Sequence, residues 1–160
     1  MRSLRLAALS GIAVVLLLAS SVSAADLYVD QQHGQAADSG AGTEDAPWLT
    51  IQHAADTAVA GDRVHVKSGT YVERVRLSTA GTEEQPISFI ATPRRSVLMH
   101  GFTINEAHHM RIEGFEITYS AQFDGWDEAQ GFFVNADHVA IIDNYLHDLP
   151  ATAIAGYWHE

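Results

Sequence analysis

The chain has 160 residues, with 20 Asp and Glu against 9 Lys and Arg, a formal net charge of −11, and no cysteine. So acidic a chain lacks the clustered Lys and Arg that a phosphate backbone wants, so nucleic acid is not an expected partner. A local basic patch or a bound cation can offset the field, which leaves acidic polysaccharides open, and without disulfides the stability must come from packing.

Residues 1–24 read as a secretory signal peptide. Arg2 and Arg5 form its basic start, Leu6–Leu18 is an apolar core too short for a comfortable membrane span, and Val22-Ser23-Ala24 is a small-residue cleavage site. The expected location is secreted or periplasmic, with no stable membrane insertion after cleavage. Losing two arginines moves the charge from −11 to about −13. Residues 25–160 form the rest, divided into a helix at 47–60 and a repeating region at 61–160.

Leu27-Tyr28-Val29 opens the mature chain as a short strand. Residues 30–46 are polar and Gly-rich and predict a loop. Its carboxylates Asp30, Asp38, Glu44 and Asp45 suit a structured turn or, alternatively, a cation site. The stretch from Pro47 to Ala60 predicts one amphipathic helix, N-capped by Thr50, with Ile51, Ala54, Ala55 and Ala58 on one face and Gly61 as its stop. Trp48 is expected to be core beneath it.

From Arg63 onward the chain repeats itself. Val64/Val66, Ile87/Phe89, Met110/Ile112 and Val139/Ile141 are apolar pairs flanking one residue, the period-2 mark of a strand with one buried face. Positions 64, 87 and 110 step by 23, and the last step, to 139, is 29. A period in this range marks stacked repeats that bury apolar faces against their neighbours. The expected fold is all-β, a right-handed parallel β-helix (solenoid) of about four coils, with the helix at 47–60 covering its N-terminal end. The extra residues of the last step are expected to loop out.

The stretches His109–Ile117 and His138–Leu146 align position for position. Gly114 then matches Asp143 and Phe115 matches Asn144, placing turn-forming residues at one bend. Asn144 is expected to bond backbone there. Another strand-like run, Thr152–Trp158, reaches Glu160 without a polar cap, so the chain is expected to be truncated at its C-terminal end.

Three stretches carry a family resemblance. They are Gly61-Asp-Arg-Val-His-Val-Lys-Ser-Gly-Thr-Tyr71, Ala80-Gly-Thr-Glu-Glu-Gln-Pro-Ile-Ser-Phe-Ile-Ala91 and Ile112-Glu-Gly-Phe-Glu-Ile117. With Tyr28-Val-Asp30, Asp38-Ser-Gly40 and Pro47-Trp-Leu-Thr-Ile-Gln52, the chain resembles secreted right-handed parallel β-helix proteins of the pectate-lyase-like superfamily, which includes alginate lyase and chondroitinase relatives. The resemblance implies a carbohydrate-active protein, often a lyase of uronic-acid polymers using Ca²⁺ and a Lys or Arg base. The Asn-Thr-Asp, Asp-Asp and Gly-His-Gly motifs of galacturonan hydrolases are absent. So is a Trp-Ile-Asp-His lyase signature, and no catalytic residue carries over by motif.

The expected function is therefore a polysaccharide lyase acting by β-elimination on uronic-acid polymers. The alternatives are a non-catalytic glycan- or surface-binding β-helix, and a glycoside hydrolase or epimerase on the same fold. Lyase chemistry needs a cation against the uronate carboxylate and a base for the α proton. The 23-residue step predicts two outward columns, one of His65, Ser88, Arg111 and Ala140, the other of Lys67, Ile90, Glu113 and Ile142. Arg111 and Lys67 are the cationic catalytic candidates, and Glu113 or Asp143 could hold a cation; the bland alternative is a solvated Arg111–Glu113 pair.

The excursion 119–130 offers Phe123 and Trp126 to stack on sugars beside Arg111. It also offers Asp124, Asp127 and Glu128 as Ca²⁺ ligands. Its bland alternative is a solvated loop with Trp126 packed down. His108-His109 and His147-Asp148 invite acid–base or metal readings but fit surface hydrogen-bonded pairs better. The expected partner is an acidic polysaccharide and the expected state a monomer, with Ca²⁺ as the one possible cofactor.

Overall fold

The structure, a computed structural model, describes residues 23–119 and 130–156. In chain order its elements are β1 (Asp26–Val29), α1 (Ile51–Thr57), β2 (Arg63–Leu77), β3 (Ile87–Asn105), β4 (Met110–Glu113), β5 (Glu116–Thr118), β6 (Phe132–Asn135), β7 (Val139–Ile142), β8 (Tyr145–His147) and β9 (Ile154–Gly156). Every ladder among them is parallel.

The long strands β2 and β3 run through bends, and later passes of the chain break into short strands at the same places. Thus β3 pairs with β4, β5 and β6 along its length. Three rows result: β1-β2-β3-β4-β7, then the middle of β2 and β3 with β5 and β8, then their ends with β6 and β9. The bend between the first two rows is left-handed in successive passes, at Gly114 (φ 80°) and Asp143 (φ 51°), where Gly costs nothing and Asp is tolerated. Asn144 secures it: its Oδ1 accepts the Phe115 N–H at 2.9 Å and its Nδ2 donates to the Ile112 carbonyl at 2.9 Å. Both matched positions of the sequence alignment are therefore at one bend, as expected.

Alternate residues face the interior and stack in columns. Val64, Phe89 and Ile112 form one, with Ile141 partly buried above them. Val75, Phe102 and Phe132 form another, and Tyr71, Met99 and Ile117 a third. Phe102 lies at the centre, stacked on Phe132 (5.7 Å, 10°) and edge-on to Phe115 (5.2 Å). Each such fully buried ring contributes about 2–3 kcal/mol through removed apolar surface.

Two expectations are corrected. The first is register: Val64 lies opposite Phe89, not Ile87, so the step from β2 to β3 is 25, while Ile87 pairs with Met110 and Met110 with Val139 as expected. A slip of two residues leaves every side chain on its own face, so the alternation of apolar residues is the same in either register. The second is the helix. Only Ile51–Thr57 is helical, and Pro47-Trp48 belongs to the preceding loop, where Trp48 bridges Val29. Ala58 is already extended, so Gly61 does not stop the helix but turns the chain into β2 with φ 95°.

Other expectations for this end hold. Thr50 caps the helix by accepting the His53 N–H at 3.2 Å. Trp48 is buried, with Nε1 donating to the Gly40 carbonyl at 3.0 Å. Two further carboxylates seat the helix start. Glu73 accepts the Ile51 and Gln52 N–H groups at 2.9 Å, and Asp38 accepts those of Leu49 (2.8 Å) and Thr50 (3.0 Å). With Asp38 on backbone and Asp30 accepting from the Gln32 N–H, the 30–46 loop is a structured turn. The buried face of α1, Ile51, Ala54 and Ala55, packs on β1 and β2.

Candidate functional site

The outer side of the first row follows from the same alternation. With Val64, Val66, Phe89 and Ile112 inward, the outward residues run Asp26, Arg63, Ser88, Arg111, Ala140, and beside them Tyr28, His65, Ile90, Glu113, Ile142. The predicted columns are thus corrected. His65, not Lys67, shares a column with Glu113, and Arg63 shares one with Arg111. Lys67 stands opposite Thr92, near the start of the row. It is held by Glu44 at 3.3 Å and sits 5.2 Å from the centre of the Tyr28 ring. The two cationic candidates, Lys67 and Arg111, are consequently not brought together.

Arg111 instead meets Glu113, two residues along β4. Its Nε and Nη2 donate to Glu113 Oε2 at 3.0 and 2.7 Å, a two-pronged clamp, while Arg94 Nη2 donates to the other oxygen, Oε1. Arg94 also donates through Nη1 to Asp143 Oδ2 at 2.5 Å, and Arg95 donates to Asp143 Oδ1 at 3.2 Å. The pairing expected for Arg111 is present, but its carboxylate is buried. The hydrogen bonds from Arg111, aided by the charge of Arg94, hold the Glu113 carboxyl below its ordinary range, against the opposing effect of burial. Glu113 therefore stays ionised and turns its lone pairs to guanidinium. Neither it nor Asp143 is free to hold a cation, as the sequence reading allowed.

Three guanidinium groups share two carboxylates, leaving one positive charge in excess at a surface where the Arg111 side chain is 44% exposed. The wider face repeats the pattern. Of the nine Lys and Arg residues, two are Arg2 and Arg5, outside the described residues, and five (Arg63, Lys67, Arg94, Arg95 and Arg111) belong to this row and its bend. A chain whose net charge is −11 thus gathers its cations on one side.

Sequence reasoning missed Arg94, Arg95 and Tyr145. The doublet Arg94-Arg95 sits where β3 leaves the row, and only the stacking of the passes shows that it reaches Asp143. His65, His108, His109 and His147 behave as surface partners. His65 Nε2 lies 2.7 Å from Asp26, and its ring stacks on Tyr28 at 5.2 Å. His147 has both nitrogens engaged, with Asp148 at 2.9 Å and Glu116 at 3.0 Å. Asp148 foremost, with Glu116, raises its proton affinity, and both ring nitrogens are taken up by these carboxylates. His108 Nδ1 accepts the Asp137 N–H at 3.0 Å, and His109 stacks on His138 at 4.5 Å.

Among the described residues no group of three or more His, Asp or Glu is arranged to hold a metal ion. Phe123, Asp124, Trp126, Asp127 and Glu128 lie outside the described residues. A cavity of about 1010 Å³ has no arginine in its lining. It opens among the inner faces of the last strands, against Val134, Val139, Ile141 and Ile154, and continues the apolar core.

No family model matches the chain. The chain is 36% identical over 83 residues to pectate lyase PEL9 of Emericella nidulans, covering 51% of this chain and 20% of that protein. It is 29% identical over 136 residues to the uncharacterized protein YwoF of Bacillus subtilis (strain 168), covering 76% of this chain and 29% of that one. Among solved structures it superposes on a rhamnogalacturonan lyase with a TM-score of 0.63 at 21% identity, over 82% of this chain and 37% of the other. It also superposes on the GH136 lacto-N-biosidase of Eubacterium ramulus with a TM-score of 0.67 at 17% identity, over 79% and 28%. The chain shares its all-parallel β architecture with these two solved structures. Each pass of the chain makes one coil, and the three rows are its faces. The chain spans less than a third of the length of the curated relatives it matches.

Proposed function

We propose that the chain is part of a secreted, right-handed β-helix polysaccharide lyase acting by β-elimination on uronic-acid polymers, with residues 1–24 as signal peptide and α1 as the cap of the first coil. The observation that carries this is the Arg94–Glu113–Arg111 cluster. A buried carboxylate fixes two guanidinium groups on a β-helix face, and the excess positive charge suits the carboxylate of a uronate. Neutralising that carboxylate stabilises the negative charge that builds as the α proton passes to a general base, a role assigned to none of the described residues. The electron pair then forms the ring double bond, and the bond to the leaving-group oxygen breaks, with a proton delivered to that oxygen. Arg111 and Arg94 serve as the carboxylate anchor. Arginine keeps its proton at ordinary pH, so these two orient and neutralise rather than abstract.

Among the described residues no cluster of carboxylates is arranged to hold Ca²⁺. A Ca²⁺ role belongs to the proposal only through Asp124, Asp127 and Glu128.

The resemblance to pectate lyase PEL9 supports the lyase reading at the level of fold. A non-catalytic acidic-glycan-binding β-helix is the second reading, favoured by the engagement of Glu113 and His147, which leaves neither as a free base. The two are separated by ultraviolet absorbance of the unsaturated uronate formed from pectate, alginate or chondroitin by the full-length protein, with and without Ca²⁺. Product from any of the three supports the lyase; binding without product supports the second reading.

A further inference from the structure

We propose that Tyr145 and Arg95 form a sugar-stacking ledge at the bend between the first and second rows, extending the arginine face into a longer track for an acidic oligosaccharide. The proposal rests on the reading of that face as an acidic-glycan site.

Tyr145 is 48% exposed, while the other exposed large apolar side chains among the described residues (Leu49, Val59, Val72 and Ile154) are aliphatic. Strand alternation explains its direction. Leu146 is packed against the core, so its neighbour Tyr145 points out, above Glu116 of the preceding coil. The ring is held rather than loose. His147 stacks against it at 4.8 Å and 25°, and His147 is itself pinned by Glu116 and Asp148. An aromatic ring kept in place before a ligand arrives loses little freedom on binding, which is what a stacking platform requires.

The ledge is joined to the arginine face by continuous contacts. Arg111 clamps Glu113, Glu113 takes Arg94, Arg94 and Arg95 share Asp143, and Arg95 stands 5.8 Å from the centre of the Tyr145 ring. At that distance the guanidinium lies over the ring at the outer limit of cation–π attraction, and the Arg95 side chain is 58% exposed, so it can swing off the ring to an incoming carboxylate and uncover the face on which the sugar stacks. A pyranose offers an apolar C–H face to the phenol ring while its carboxylate reaches the guanidinium fork. The ligand class is set by the neighbours. Tyr145 alone would stack a neutral sugar equally well; the preference for a uronate comes from Arg94 and Arg95, two guanidinium groups that share the single carboxylate of Asp143, while His147 is matched by Glu116 and Asp148.

The test measures binding of oligogalacturonates of increasing length, with uncharged cello-oligosaccharides as the control. It uses the full-length protein and its Tyr145→Ala, Tyr145→Phe and Arg111→Gln variants. Tyr145→Ala should weaken the longer oligouronates about fivefold, the scale of one aromatic stacking contact. It should leave the shortest ones unchanged, and Tyr145→Phe should bind as the parent does. If Arg111→Gln loses oligouronate binding while Tyr145→Ala binds every length like the parent, the ledge is wrong and the arginine face stands. If the parent binds no oligouronate, the face itself is wrong and the ledge falls with it. Equal weakening of neutral and acidic oligomers by Tyr145→Ala would overturn the assignment to uronates.

Discussion

Arg94 and Asp143 are joined by a 2.5 Å hydrogen bond although 49 residues separate them, which ties the bend within β3 to the bend after β7 across the intervening coil. Most side-chain contacts in such a fold link adjacent coils. This one spans two, with buried Glu113 of the middle coil held by the same guanidinium.

Breaking that tie should cost modestly, because Arg94 is 59% exposed and exposed pairs are screened. Asp143→Asn keeps a residue that tolerates φ 51°, and removes only the charge. Urea unfolding should show a loss of about 0.5–1 kcal/mol. In a double-mutant cycle with Arg94→Ala, the two losses should not add.

Glu113 should behave differently, being buried between two arginines. Its carboxyl binds protons less readily in the folded chain than in the unfolded one, so its contribution to stability is present above the ordinary glutamate value of 4.5 and is lost as pH falls through the depressed folded value. Glu113→Gln is expected to lose about 1–2 kcal/mol at neutral pH from weakened charged hydrogen bonds. The gap between parent and variant should narrow as pH falls below 4.5, measured by urea unfolding at a series of pH values.

For His147 the sign reverses. Its proton affinity is raised in the folded chain, so its contribution is fully present below the ordinary value of 6.5 and is lost as pH rises through the folded value. His147→Gln should therefore lower the melting temperature more at mildly acidic pH than at mildly alkaline pH. An NMR titration of the imidazole should place its midpoint above 6.5.

Phe102 sits where the inner columns meet, against Phe89, Phe115 and Phe132. Phe102→Ala leaves a cavity that rigid ladders on both sides cannot close, and the expected loss is about 3–5 kcal/mol by equilibrium unfolding. Tyr145→Ala, on the outer surface, should cost far less in the same assay.

Much of the fold was legible because alternation is strong where one face is buried. Val64/Val66, Ile87/Phe89, Met110/Ile112 and Val139/Ile141 all proved to be strand residues pointing inward, and Asn144 proved to lock a bend. Alternation has period two, however, so it cannot tell Ile87 from Phe89 as the partner of Val64, and the predicted outward columns slipped by one place. The helix was overextended because small apolar residues such as Ala58 continue the helical pattern, while Trp48 and the Asp38 and Glu73 carboxylates that set its start act through space. Of the site, Arg111 and its partner Glu113 were legible from spacing within one strand. Arg94, Arg95 and Tyr145 were not, since their association depends on which coil lies above which.

The central claim is that the arginine-clamped face holds a uronate carboxylate during elimination. The most direct measurement is kcat/KM for unsaturated-product formation on the preferred uronate polymer, comparing the full-length protein with Arg111→Gln and with Arg76→Gln, a cation of a different face, as the control. A loss of about a hundredfold or more for Arg111→Gln, with Arg76→Gln unchanged, is the result this account predicts, the size seen when one donor to a developing anion is removed. Equal activity of Arg111→Gln and the parent would contradict it.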